Sequence, residues 1–198
     1  MSIKKLPNVL CWIRIALIPF ILLFLLENTV SAFFSVPTRI VLSGVLFVAA
    51  TLTDLLDGKI ARKYDAVTNF GKFIDPIADK MLIISILVAF VEIGLTTSLP
   101  VIIVLAREFI VTGLRLGAMT SGKVVAANIW GKLKTVTQSV AIAAIYLILF
   151  VETVFDGSII NLSGSVSLIP QILVWVIALV TVVSAIPYIR ECGKYIKD

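Results

Sequence analysis

Four aspartates, Asp54, Asp57, Asp75 and Asp79, stand in the stretch D-L-L-D-G-K-I-A-R-K-Y-D-A-V-T-N-F-G-K-F-I-D-P-I-A-D. Asp54 and Asp57 are spaced i,i+3, and Asp75 and Asp79 i,i+4, so on helices each pair shares a face. Apolar runs flank the stretch on both sides. A charge near a bilayer core costs at least ~3 kcal/mol, and four acids this close repel one another. Hard divalent cations, which take oxygen ligands, are the natural means of neutralising them. Two such ions bridged by carboxylates suit phosphoryl chemistry. Gly58 and Gly71 have no side chain to keep a bulky ligand from the backbone. Arg62 can grip a phosphate through its planar fork. A carboxylate only partly committed to metal can take a proton from an attacking hydroxyl.

The elements that must position these groups are apolar. Of the 198 residues, 60% are hydrophobic, and the mean hydropathy is +1.10, well above a soluble domain. The expected class is all-α: a single polytopic membrane domain over residues 1–198 with six transmembrane helices. The expected spans are residues 6–26, 38–63, 70–93, 99–119, 128–151 and 168–189, each about the length needed to cross the hydrocarbon. The first run is too long for a signal-peptide core and is interrupted by Arg14, so it reads as an uncleaved span. The second and third are long enough to project beyond the bilayer, which places the acids near its rim. Lys4, Lys5, Lys59, Arg62, Lys63, Lys72, Lys123, Lys132, Lys134, Arg190, Lys194 and Lys197 fall on one side; Glu27, Glu92, Glu152 and Asp156 fall in the opposite loops, with Arg39 the one base near them. The positive-inside rule then makes both termini and the acid cluster cytoplasmic.

Composition also excludes. The chain contains no histidine, which removes imidazole catalysis, histidine triads and histidine-based zinc sites. Cys11 and Cys192 lie near opposite ends and read as thiols rather than a disulfide. The net charge of +5 fits membrane headgroups and not nucleic acid.

The spacing Asp54-x2-Asp57-Gly58-x2-Ala61-Arg62-x8-Gly71-x3-Asp75-x3-Asp79 resembles, without a gap, the signature of the CDP-alcohol phosphatidyltransferases. The resemblance implies a six-span fold over nearly the whole chain. It implies transfer of a substituted phosphate from a CDP-linked donor, here CDP-diacylglycerol, to an alcohol, with release of CMP. It implies two Mg2+ or Mn2+ ions on Asp54, Asp57, Asp75 and Asp79, with Asp79 as general base. Gly58, Arg62 and Thr68 would contact the CDP end of the donor, with Ala61 and Gly71 giving it room. A homodimer in the bacterial inner membrane is the expected form.

The acceptor is read from other residues. Ala106-Arg107-Glu108, Leu114-Arg115 and Gly131-Lys132-x-Lys134-Thr135-x2-Gln138 resemble the subfamily that uses sn-glycerol 3-phosphate, as do Leu6-Pro7-Asn8-x-Leu10 and Arg14. Cys11 departs from the threonine common at that position. The acceptor is a small dianion, and Arg107, Arg115, Lys132 and Lys134, with Thr135, are the expected phosphate-binding set; bases are expensive in a membrane. Asn8 and Arg14 are placed to touch the donor headgroup, with helix capping as an equal role for Asn8. Competing readings are the same chemistry with inositol phosphate, serine or another lipid as acceptor, and, more distantly, a divalent-cation transporter.

Overall fold

The computed structural model describes residues 6–26, 30, 32–63, 69–120, 129–155 and 168–192. The regular structure of the described chain is all helical: α1 (Leu6–Leu25), α2 (Val36–Lys63), α3 (Asn69–Glu92), α4 (Ser98–Thr120), α5 (Ile129–Val154) and α6 (Leu168–Cys192). Each helix falls on one of the six apolar runs. In helices every backbone polar group of the interior is bonded within its own segment, the condition hydrocarbon imposes. Among the described residues, Val36–Asp54, Ile129–Val154 and Leu168–Glu191 are long and apolar enough to cross a membrane, and Val9–Leu25 is a shorter apolar helix. Large apolar side chains such as Phe109, Val140, Leu147 and Leu179 are exposed. Apolar surface repeated along several helices suits lipid rather than water as the solvent. The protein is a multi-pass membrane protein.

The chain divides into two compact units, residues 1–93 with 146–163, and residues 94–145 with 164–198. In the first, α1 packs on both α2 and α3. Along α2 the residues Arg39, Ser43, Phe47 and Ala50 are buried, a three- and four-residue spacing that puts them on one helical face. Asp54 continues that series by four. Ser43 Oγ donates to the Ile21 carbonyl at 2.9 Å and lies 2.8 Å from the Tyr146 hydroxyl. The serine has one proton, so the tyrosine is the donor in the second bond. The Tyr146 ring stacks on Phe47 and meets Phe90 edge-on, each at 5.8 Å between centroids. One aromatic residue thus joins α2, α3 and the end of α5.

In the second unit α4 packs on α6. Val111, Ala118, Ala185 and Tyr188 form a buried cluster with Leu114 against it. Small residues at such contacts let helices approach closely where no hydrophobic drive exists between them. Gly131 serves the same end: a Cβ there would lie 2.7 Å from the Tyr188 hydroxyl oxygen. Gly94, with φ of 76°, follows α3 in the left-handed conformation that commonly closes a helix. One expectation is corrected. Glu152 was placed in a polar loop, but α5 continues through it to Val154 and buries it. Thr153 helps by donating to the Leu149 carbonyl at 2.9 Å, so the last turn is bonded within itself.

Candidate functional site

Among the described residues, each compact unit holds a buried polar cluster that includes candidate site residues. In the first, Arg14 of α1 is fully buried, and its Nη1 lies 2.9 Å from Asp54 Oδ1 on α2. Asp54 keeps 28% of its side chain exposed. A guanidinium buried at this depth needs a paired acid, and the arginine fork supplies directional donors to hold that acid in place. Thr53 and Thr51 beside it turn their hydroxyls onto the Ala50 and Phe47 carbonyls at 2.7 and 3.0 Å. Asp79 on α3 is half-buried and follows the fully buried Ala78.

The α2 backbone carries Asp57, Gly58, Ala61 and Arg62 one to two turns past Asp54, and α3 carries Gly71 and Asp75 ahead of Asp79. Both acid pairs therefore stand on helix, as the spacing requires. The side chains of Asn8, Asp57, Ala61, Arg62 and Asp75, the surroundings of Gly58 and Gly71, and all of Thr68 lie outside the described residues. Among the described residues no three metal-ligating side chains come together, since two of the four aspartates are not among them. The donor set is carboxylate oxygen without imidazole, which fits a hard divalent cation and not a thiophilic one.

The second cluster lies on α4, α5 and α6. Arg107 is buried and each of its nitrogens has a partner. Nε donates to the Thr181 carbonyl at 3.0 Å, Nη2 to Ser184 Oγ at 2.8 Å, and Nη1 to Glu108 Oε1 at 3.3 Å. Lys134 Nζ of α5 lies 2.5 Å from the same Glu108 oxygen. Gln138, one turn beyond Lys134, donates to Thr181 Oγ1 at 3.3 Å. All six residues are buried. Arg115 and Lys132 are exposed, and Thr135 spends its hydroxyl on the Gly131 carbonyl at 3.2 Å. Arg107 and Arg115 stand eight residues apart, which overshoots two turns by about 80°, and burial separates them.

The structure adds partners that sequence reasoning did not name: Asp54 for Arg14, and Thr181 and Ser184 for Arg107. A signal existed for the last two. Thr181 and Ser184 are a polar i,i+3 pair in the middle of an otherwise apolar run, and such a pair on a buried face asks for a polar neighbour.

A helical membrane protein with paired acids on consecutive helices is a narrow class. Residues 4–185 match the family model for CDP-alcohol phosphatidyltransferase. A Bacillus subtilis protein named CDP-diacylglycerol–glycerol-3-phosphate 3-phosphatidyltransferase is 43% identical over 148 residues, covering 72% of this chain and 77% of the relative. A Rickettsia bellii protein of the same name is 35% identical over 196 residues, covering 97% of each chain. A Mycobacterium tuberculosis protein named probable phosphatidylglycerophosphate synthase is 35% identical over 189 residues, covering 96% of this chain and 82% of the relative. The chain belongs to the CDP-alcohol phosphatidyltransferase family.

Proposed function

We infer that the protein transfers the phosphatidyl group of CDP-diacylglycerol to sn-glycerol 3-phosphate, giving phosphatidylglycerophosphate and CMP in phospholipid synthesis. The observation that carries this is the match to relatives bearing that activity in their names over up to 97% of the chain, a span that takes in both polar clusters. Two facts support the reading: the four aspartates fall on the helices α2 and α3, and α4–α6 carry a buried cluster that includes Arg107 and Lys134, a source of charge for a phosphate-bearing acceptor.

In this mechanism Gly58, Arg62 and Thr68 contact the CDP end of the donor, with Asn8 at its headgroup, and Ala61 and Gly71 leave it room. Asp54, Asp57, Asp75 and Asp79 would hold two divalent cations, Mg2+ or Mn2+, which offset the charge of the pyrophosphate. Arg14 fixes one oxygen of Asp54 and so orients the first acid of the set. Arg107, Arg115, Lys132, Lys134 and Thr135 provide for the acceptor's phosphate; Lys134 is the buried amine among them. Asp79 takes the proton of the acceptor's free primary hydroxyl. The hydroxyl oxygen bonds to the phosphorus on the lipid side, the bond from that phosphorus to the CMP oxygen breaks, and CMP leaves. Six spans, cytoplasmic termini and site, an inner-membrane location and a homodimer complete the proposal. Both water-soluble partners, acceptor and CMP, then meet the site from the cytoplasm.

The test is an acceptor panel. Purified protein with CDP-diacylglycerol and Mg2+ or Mn2+ is expected to release CMP with sn-glycerol 3-phosphate far faster than with inositol phosphate or serine. Preferred turnover with inositol phosphate would defeat the assignment of the acceptor.

A further inference from the structure

The Arg107–Glu108–Lys134 chain has two unlike ends. Arg107 is anchored: three of its five N–H donors go to the Thr181 carbonyl, Ser184 and Glu108. Ser184 Oγ itself donates to the Thr181 carbonyl at 2.8 Å, so its proton is used and its lone pair faces the arginine. Arg107 is thereby locked to the α6 backbone. Lys134 differs. Its ammonium has three donors, and among the described residues its partner is Glu108 Oε1. Both cations share one carboxylate oxygen. The three charges sum to one net positive charge in a buried cluster, which still attracts an anion.

We propose that Glu108 is a positioning residue for the acceptor: anchored through Arg107 to α6, it holds the Lys134 ammonium where its remaining donors meet the acceptor's phosphate. The proposal rests on the reading that Lys134 binds that phosphate. The physical reason lies in the two bases. Removing the charge of Glu108 leaves two buried cations facing each other. Arg107 cannot move without giving up its bonds to α6. Lys134 has a flexible four-carbon stem and can swing its head toward water, so the displacement falls on Lys134.

The experiment compares E108Q, K134A and the double variant, reading CMP release against sn-glycerol 3-phosphate and, separately, against CDP-diacylglycerol. Each single variant is expected to raise the acceptor KM by about tenfold or more, the scale of one charged hydrogen bond. The donor KM and the kcat at saturating acceptor should change far less. The double variant should be no worse than K134A, because Glu108 acts through Lys134. If E108Q leaves the acceptor KM unchanged while K134A raises it, the positioning role is wrong and the reading of Lys134 stands. The same holds if E108Q raises the KM as much in the K134A background as in the wild type. If K134A has no effect on the acceptor KM, the reading of Lys134 fails and takes this inference with it. Should E108Q lose donor binding through misfolding, E108D replaces it. Aspartate keeps the charge one methylene short of the ammonium, and a raised acceptor KM with an unchanged donor KM is expected; an unchanged acceptor KM would overturn the proposal.

Discussion

Removing either partner of the Arg14–Asp54 pair should destabilise the protein, but not equally. Arg14 is fully buried, whereas Asp54 keeps 28% of its side chain exposed, and the two meet at 2.9 Å. Asp54→Ala takes an acid partner from a guanidinium that has no water to turn to. Breaking a buried pair in this way costs about 3–5 kcal/mol, and at ~2–4 °C per kcal/mol for a chain of this size the melting point should fall by roughly 6–20 °C. Arg14→Met leaves a carboxylate that already reaches solvent, and the methionine refills much of the apolar volume, so the loss should be about half as large. The double variant removes both charges and should be more stable than Asp54→Ala alone, since replacing a buried pair by apolar groups is often neutral. Thermal unfolding in detergent or bicelles reads all three. CMP release separates stability from function: the double variant should regain melting temperature and remain inactive, because an acid of the site is gone. A double variant no more stable than Asp54→Ala, or an Arg14→Met variant that is the less stable of the two singles, would refute the reasoning.

Asp79→Asn should abolish CMP release while CDP-diacylglycerol still binds, as seen by equilibrium binding of labelled donor; near-normal turnover would remove Asp79 as the base. Ser43→Ala strips the buried Tyr146 hydroxyl of its acceptor and should cost about 1–3 kcal/mol. Adding Tyr146→Phe should then recover part of that loss in the same melting assay, since no polar group is left unsatisfied. Gly131→Ala drives a methyl to within 2.7 Å of the Tyr188 hydroxyl oxygen and should destabilise by ~1–3 kcal/mol, with Tyr188→Phe relieving part of the strain. Chelation of divalent cations with EDTA should stop CMP release, and returning Mg2+ or Mn2+ should restore it; full activity after exhaustive chelation would contradict a carboxylate-held metal.

Much of this protein is legible in one dimension. The six helices fall on six apolar runs; a bilayer demands about twenty consecutive apolar residues in a spanning segment and helices that bond internally, and among the described residues three helices are long and apolar enough to cross. Both conditions are local. The acid pairs are equally local: i,i+3 and i,i+4 spacing decides which side chains share a face whatever the rest of the chain does, and that pattern sufficed to mark the family. Partners are another matter. Arg107 was legible as a costly base in an apolar helix, yet its bonds go to residues 74 and 77 positions away, and Arg14 finds its acid on a different helix. Periodicity says which face a buried charge presents; it does not say which helix lies opposite. The length of α5 past Glu152 and the split between buried Arg107 and exposed Arg115 were settled in the same way, by how whole helices pack and by the drift of a 3.6-residue turn. The chemistry was written in spacing, while the counter-ions that hold it in place came only from the meeting of distant segments.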